Sequence, residues 1–178
     1  MTTQTYTLRT PVGAPPEAVY AALTDAAALE AWLAEHAEAD TDRGIFEFWG
    51  RLTPEGERGR QRLLAADPGR RISFSWALED TETTVDIALE AQDGGTLVTL
   101  IHSGVPPRAS GEAYWVRDLL MLSLANLASY CEGRGIGPRC DFTAFRAHEA
   151  RGSVDIDAPA SEVFASLIEP AQLDRWIA

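Results

Sequence analysis

His102 is the residue of this chain whose side chain is best suited to acid–base chemistry. Imidazole titrates near neutral pH, which suits proton transfer or a hydrogen bond to a bound molecule. No acid–base partner for His102 follows from the spacing of the other polar residues, so a structural histidine is the simpler interpretation. His36 and His148 lie in polar segments with a loop-like pattern, where we expect solvated side chains.

The other reactive side chains lack the patterns that accompany catalysis or metal binding. No serine occupies a GxSxG or SxxK motif, so nucleophilic catalysis has no candidate nucleophile. Cys131 and Cys140 are the only cysteines, and their spacing fits neither a disulfide framework nor a zinc site. The glycine-rich run at 133–137 follows a predicted helix instead of leading into one, which is the wrong context for a phosphate-binding loop. We therefore expect no metal and no cofactor.

The beginning of the chain predicts a strand followed by two short helices. Residues 6–12 alternate in polarity, as a strand does. Val19 and Leu23 then recur at helical spacing, and Leu29 and Trp32 share one face of a second short helix. We expect Trp32 to anchor these helices to the core.

Residues 44–104 change to the two-residue period of strands. Turn-forming segments separate the strands and are too short for crossover helices, so consecutive strands must be antiparallel. Alternation places Phe46, Phe48, Phe74 and Trp76 on inward faces. The predicted meander has five strands, at 44–50, 59–66, 71–78, 83–91 and 96–103.

The longest predicted helix covers residues 112–131, with Ser110 as its N-cap and Gly133 as its stop. Its apolar residues cover well over half of its circumference. A helix of this kind is expected to be covered by protein on more than one side. A curved sheet wrapped around the helix would provide that cover.

Four segments stand out in this order of elements: APPEAVYAALTD at 14–25, Leu29 with Trp32, PGRRISFSW at 68–76 and TLIHSG at 99–104. Together with the element order, they resemble the SRPBCC superfamily (START-like, Bet v 1-like), and within it the activator-of-Hsp90-ATPase-like (AHSA1-like) domains. The resemblance covers about residues 4–133. It implies an α+β helix-grip fold, in which a curved antiparallel sheet wraps around the long C-terminal helix and two short helices follow the first strand.

The helix-grip fold can leave a cavity between sheet and helix for an apolar small molecule. Ligand pockets are mostly apolar with a few placed polar groups, and the side chains expected at this interface have that composition. A filled core is the alternative, because any small domain needs inward aromatic residues to pack, and the resemblance favours the cavity. The predicted ligand-binding residues are Phe46, Phe48, Phe74, Trp76, His102, Trp115, Leu119 and Leu122.

The first functional interpretation is therefore a non-catalytic domain that binds a hydrophobic small molecule. The first alternative is a cyclase- or hydrolase-like enzyme that uses His102 as acid or base, since the superfamily contains aromatase/cyclase domains. The second alternative is a protein-binding module that acts with an Hsp90-type chaperone, by analogy with the eukaryotic activator. Resemblance of fold does not distinguish among these three functional interpretations.

Residues 12–34 recur as residues 156–178 at a constant offset of 144, with nine of 23 positions identical. This offset far exceeds the roughly 20–50 residue period of solenoid repeats and indicates two copies of one domain. We divide the chain into an SRPBCC/AHSA1-like domain at 1–133, a linker at 134–149 and the truncated start of a second copy at 150–178. The second copy cannot bury its apolar residues alone. It is either a cut-down part of a tandem protein or a tail that docks on the first domain or on a neighbouring chain, which would give self-association.

The balance of 15 basic and 27 acidic residues gives a formal net charge of −12. This excess argues against nucleic acids and anionic membranes as partners, because both require a basic surface. No run approaches the roughly 18 apolar residues of a membrane span, and the N-terminus lacks the pattern of a signal peptide. We expect a cytoplasmic protein.

Overall fold

The computed structural model describes residues 3–78, 81–106, 114–143 and 153–176, with the backbone alone at 114, 115, 174 and 176. Ser110 and His148, for which the sequence predicts an N-cap and a solvated side chain, lie outside these residues. A short 3₁₀ turn covers Thr41–Arg43. The strands and helices are β1 (Gln4–Val12), α1 (Pro16–Thr24), α2 (Ala26–Trp32), β2 (His36–Asp40), β3 (Ile45–Trp49), β4 (Gln61–Asp67), β5 (Arg71–Leu78), β6 (Thr81–Gln92), β7 (Gly95–Val105), α3 (Tyr114–Cys131), α4 (Ala160–Ile168) and α5 (Pro170–Trp176).

Five antiparallel strands form the main sheet, in the order β1-β7-β6-β5-β4. Strands β4 to β7 pair with their neighbours in sequence, which confirms the predicted meander for this part, and β1 closes the sheet against β7. Gly95 lies where the end of β1 passes the β6–β7 turn, and a Cβ atom at this position would lie 2.1 Å from the carbonyl oxygen of Val12. Only glycine permits so close an approach of two backbones.

The first strand of the predicted meander pairs differently. Strand β3 forms a separate two-stranded sheet with β2, which the sequence pattern does not predict. Strand β2, with the sequence HAEAD, has no strongly apolar side chain, and its charged residues are typical of an exposed edge strand. The side chain of Gln61 connects β3 to β4, since its Oε1 accepts a hydrogen bond from Phe48 N at 3.2 Å. His36 is the first residue of β2, so it lies in a strand and not in a loop. Its side chain is exposed, and its ring centroid lies 5.7 Å from that of Trp49.

Helix α3 packs across the main sheet, which confirms the α+β helix-grip fold. Successive helical residues are about 100° apart, so the buried residues of α3 cover an arc of about 200°. Met121 and Leu122 are exposed on the remaining side, and Tyr130 is exposed in the last turn of the helix. Protein therefore covers α3 on more than one side, as expected, but among the described residues it does not cover the whole circumference. The buried residues are Val116, Leu119, Leu120, Leu124, Asn126, Leu127 and Ala128.

The two short helices pack as predicted. Val19, Leu23 and Leu29 are buried, and Trp32 is buried with its indole Nε1 donating a hydrogen bond to Ala22 O at 2.9 Å. The bond satisfies the one polar atom of the ring, so the large side chain is buried without an unpaired donor. Trp32 is thus the core anchor that the sequence predicts.

Helices α4 and α5 occur at the positions that the internal repeat predicts, but their apolar residues are exposed. Leu167 is 53% exposed, whereas its counterpart Leu23 is 3% exposed. Phe164 and Ile168 are likewise exposed. The apolar face that α1 buries against the first domain has no equivalent cover on α4 within the described part of the chain.

The first part of the predicted linker lies against the first domain. Helix α3 ends at Cys131, and Gly133 adopts the left-handed conformation (φ 66°) that commonly stops a helix. Beyond it, the side chains of Cys140 and Phe142 pack against the core. Residues up to 143 therefore belong to the surface of this domain.

Candidate functional site

An apolar cavity of about 50 Å³ lies between the sheet and α3. Its wall includes residues of α1 and α2, of strands β3, β5, β6 and β7, of the β3–β4 loop and of α3. The polar side-chain groups of its described lining residues are the hydroxyls of Thr53 and Ser123 and the indole nitrogens of Trp32 and Trp76. The lining residues are Leu23, Trp32, Leu33, Phe48, Leu52, Thr53, Pro54, Phe74, Trp76, Val85, Ile87, Leu100, Leu119, Leu120, Ser123, Leu124 and Leu127.

Aromatic rings from β3 and β5 form one side of the cavity. The Phe48 ring meets the Trp76 ring at a centroid distance of 5.3 Å and an angle of 75°, and meets the Phe74 ring at 5.9 Å and 89°. Such edge-to-face contacts add to the stability that burial of the rings provides. Phe46 packs against Phe74 at 4.9 Å but does not line the cavity. The rings form a continuous and well-packed wall.

The structure brings four of the eight predicted ligand-binding residues to the cavity. They are Phe48, Phe74, Trp76 and Leu119. Phe46 and His102 are buried in the core away from the cavity wall, and the side chain of Trp115 lies outside the described residues.

The structure places Leu122 away from the cavity. Its side chain is 40% exposed on the outer side of the helix, and the neighbouring Ser123 lines the cavity instead. Apolar residues surround α3, so their spacing alone cannot identify which of them face the sheet.

Sequence reasoning missed the contribution of the β3–β4 loop. Leu52, Thr53 and Pro54 are buried and line the cavity, although they lie outside any strand or helix. Leu52 is the one strongly apolar residue in the otherwise polar stretch 50–60, and this is a signal that could have identified the loop. Leu33, which follows α2, and Ser123 are further lining residues that were not predicted as such.

His102 is fully buried and lies beside Trp76, with the two rings nearly parallel at 5.8 Å. The Thr83 hydroxyl donates to Trp76 O at 2.8 Å, so it accepts the bond from His102 Nε2, which lies 2.7 Å away. This assignment places the imidazole proton on Nε2 and leaves Nδ1 as a buried acceptor without a partner among the described residues.

The surroundings of His102 favour a structural role. Burial lowers the pKa of its imidazole from 6.5 to about 4, so the ring is neutral at neutral pH. Because His102 does not line the cavity, it cannot contact a molecule bound there in this arrangement. The acid–base alternative has no support from the geometry of this residue.

The two cysteines do not form a reactive site in this structure. Burial raises the pKa of the Cys131 thiol to about 11 and also raises that of Cys140. The reactive form of cysteine is the thiolate, which these shifts disfavour. Among the described residues, no three His, Cys, Asp or Glu side chains come together in a way that could hold a metal ion. None of the described helices is long and apolar enough to cross a membrane.

The arrangement of sheet, short helices and cavity corresponds to a known family. A family model described as Activator of Hsp90 ATPase homolog 1-like protein matches residues 13–132. The chain belongs to this family. The AHSA1-like region spans α1 to the end of α3 and so contains every residue that lines the cavity. Helices α4 and α5 lie outside the match.

Solved structures of similar fold include AHSA1-like proteins from bacteria. The solution structure of an AHSA1-like protein from Rhizobium etli is 22% identical, with a TM-score of 0.59, and the match covers 89% of this chain and 96% of that one. The solution structure of the Aha1 dimer from Colwellia psychrerythraea is 19% identical, with a TM-score of 0.60 and coverage of 74% and 99%.

A crystal structure of a Chromobacterium violaceum protein is 27% identical, with a TM-score of 0.56, and the match covers 72% of this chain and 96% of that one. No curated protein matches the chain. The similarity to solved structures therefore concerns the fold, while the matched family supports a ligand-binding or co-chaperone type of domain.

Proposed function

We propose that the AHSA1-like domain of this chain binds an apolar small molecule in the cavity between the main sheet and α3. The observation that carries the proposal is the composition of the cavity wall, whose described residues are apolar apart from two hydroxyl groups and two indole nitrogens. A void lined in this way holds water poorly, so a ligand that fills it gains dispersion contacts without displacing bound water.

The cavity must enlarge to accept most ligands. Its volume of about 50 Å³ is well below the roughly 300–1,000 Å³ of typical ligand pockets. Continuous ladders of hydrogen bonds hold the strands of the main sheet, whereas the β3–β4 loop has no such ladder. The loop is therefore the part of the wall whose displacement requires the least free energy. We infer that a bound ligand displaces this loop.

The wall also restricts the chemical class of the ligand. Among the described residues, no charged side chain lines the cavity, so a charged group on the ligand would lose its hydration without compensation. Trp76 lines the cavity, and its buried Nε1 has no hydrogen-bond partner among the described residues. An uncharged ligand with one acceptor atom that reaches this donor would remove the penalty of an unpaired polar group.

Substitution of Ser123 tests the proposal in solution. Ser123→Phe places a ring in the cavity, and we expect it to weaken binding of the uncharged probe N-phenyl-1-naphthylamine by at least about tenfold, since an overfilled site excludes the ligand. Leu122→Phe is the matched control, because its side chain lies on the outer side of α3. Fluorescence titration measures both affinities, and native mass spectrometry of protein purified without detergent shows whether a molecule is already bound.

Equal binding to both variants would contradict the cavity as the binding site. Absence of probe binding to the unchanged protein, together with absence of a co-purified molecule, would contradict the proposed function itself. Thermal unfolding of each variant shows that the domain remains folded.

Action on a chaperone is the second candidate function, and the description of the matched family favours it. If the domain acts in this way, it should increase the ATPase rate of an Hsp90-type chaperone from the same organism. An unchanged rate at saturating concentrations of the domain would exclude this candidate.

We also propose that residues 153–176 are the opening elements of a second helix-grip unit. The support is the agreement between the sequence repeat and the two helices that occur at the repeated positions. Leu23 and Leu167 hold corresponding positions in the two copies, which allows their burial to be compared directly.

A further inference from the structure

The β3–β4 loop is the irregular part of the cavity wall. Its residues Leu52 and Thr53 are buried, and Thr53 N donates to Gly50 O at 3.1 Å while Gly50 N donates to Gly56 O at 3.2 Å. These few local bonds are weaker constraints than the ladders of the main sheet, so the loop opens at lower free energy than the strands.

Residues 137–143, which we call the strap, cross from α3 to this loop. The strap begins at the side chain of Asn126 on α3, whose Oδ1 accepts from Gly137 N at 2.9 Å and whose Nδ2 donates to Pro138 O at 3.3 Å. Asn126 is buried, and both ends of its amide group are used. The start of the strap is therefore fixed to the helix that forms one wall of the cavity.

The end of the strap is attached to the loop. Phe142 N donates to Arg51 O at 2.8 Å, and the Arg51 guanidinium lies 3.2 Å from the Asp141 carboxylate. Arg51 immediately precedes the lining residues Leu52 and Thr53. The Phe142 side chain also packs against the core. Backbone, charge and apolar contacts thus hold the loop in place at one point.

The middle of the strap is attached to α2. Arg139 Nη1 donates to the carbonyl oxygens of Glu30 at 3.0 Å, Ala34 at 3.3 Å and Ala31 at 3.5 Å. The last carbonyls of a helix lack partners within the helix, and a positive charge near them is favourable. Trp32, in the same turn of α2, lines the cavity. A single segment therefore joins three parts of the cavity wall.

We propose that the strap holds the cavity closed, and that its release from the β3–β4 loop admits the ligand. The inference rests on the proposed function, because it assigns control of access to the same site. The cavity is too small for most ligands while the loop is in place. The strap ties the loop to both α3 and α2. Glu35, which follows α2, also holds the loop, since its carboxylate accepts a hydrogen bond from Arg51 N at 2.9 Å.

The double variant Arg139→Ala/Phe142→Ala tests the proposal in the full chain. Loss of the charged hydrogen bonds and of the apolar contact is expected to increase amide hydrogen exchange in residues 50–56 by about tenfold or more. The association rate of N-phenyl-1-naphthylamine with the protein, measured by stopped-flow fluorescence, should rise together with this exchange rate. Arg134→Ala is the matched control, since Arg134 follows the same helix but forms an exposed ion pair with Glu132, and it should leave both rates unchanged.

Exchange and association rates that match those of the unchanged protein would overturn the role of the strap and leave the proposed function standing. Faster exchange without probe binding to any variant would uphold the strap as the closure of the loop and contradict the proposed function. Should the double variant unfold, Asp141→Asn provides a milder change, because it removes the charge that pairs with Arg51 and keeps an amide oxygen that can accept from Thr143 N. It should increase the same exchange by about twofold to threefold, and an unchanged rate would again overturn the proposal.

Discussion

His102 shows how a residue suited to chemistry can serve the core instead. Its ring lies beside that of Trp76, and its Nε2 donates a hydrogen bond to the Thr83 hydroxyl. The buried neutral imidazole fills space in the core, and its Nδ1 atom has no hydrogen-bond partner among the described residues, which costs free energy. The same burial that removes His102 from the cavity makes the stability of the domain depend on pH.

We expect the domain to lose stability as the pH falls from about 6.5 to about 4. The pKa of His102 is about 4 in the folded protein and near 6.5 when unfolded, so in this window the unfolded state binds a proton that the folded state does not. The stabilisation is complete above pH 6.5, and its loss amounts to about 3 kcal/mol at the lower end. Urea unfolding at pH 7 and pH 4.5 measures the change.

His102→Gln should remove most of this pH dependence, because glutamine does not titrate. His36→Gln is the control, since the His36 side chain is exposed. Parallel losses of stability in the unchanged protein and in His102→Gln would show that His102 does not carry the effect.

The two pairs of short helices show that the same sequence pattern can be buried or exposed within one chain. Helices α1 and α2 pack under the sheet and α3, whereas α4 repeats the pattern with its apolar face exposed. The pattern specifies an amphipathic helix, and the cover depends on the elements that surround it. Burial therefore decides how much each leucine contributes to stability.

Leu23→Ala and Leu167→Ala form a matched pair that tests this difference. Leu23 is 3% exposed, and we expect its truncation to cost about 2–5 kcal/mol in the free energy of unfolding. Leu167 is 53% exposed, and its truncation should change that free energy by no more than about 0.5 kcal/mol. Urea unfolding of the full chain measures both. A large loss for Leu167→Ala would mean that α4 is covered in solution.

The sequence predicts strands well where side chains alternate and poorly where other contacts position the chain. Strand β5 has the predicted bounds, and β6 and β7 differ from prediction by a few residues, because apolar and polar residues alternate along them. Strand β2 was missed, since its alanines and charges carry no such signal. In the cavity, the aromatic residues of β3 and β5 follow from alternation, whereas Leu52 is placed by a loop whose position depends on the strap.

The whole domain combines the scaffold of its family with a small internal cavity. The antiparallel sheet, the two short helices and α3 enclose the cavity, and the matched family covers all of these elements except β1. Family membership explains the fold, whereas the identity of the ligand depends on the side chains that line the cavity of this chain. The cavity between the main sheet and α3 and the exposed apolar face of α4 are two different places where an apolar molecule could bind.

Nuclear Overhauser effects between bound N-phenyl-1-naphthylamine and methyl groups of the protein distinguish these two places most directly. The cavity account predicts contacts with the methyl groups of Val85, Leu100 and Leu119, which line the void. Contacts only with Leu167 and Ile168, which are exposed on α4, would contradict it.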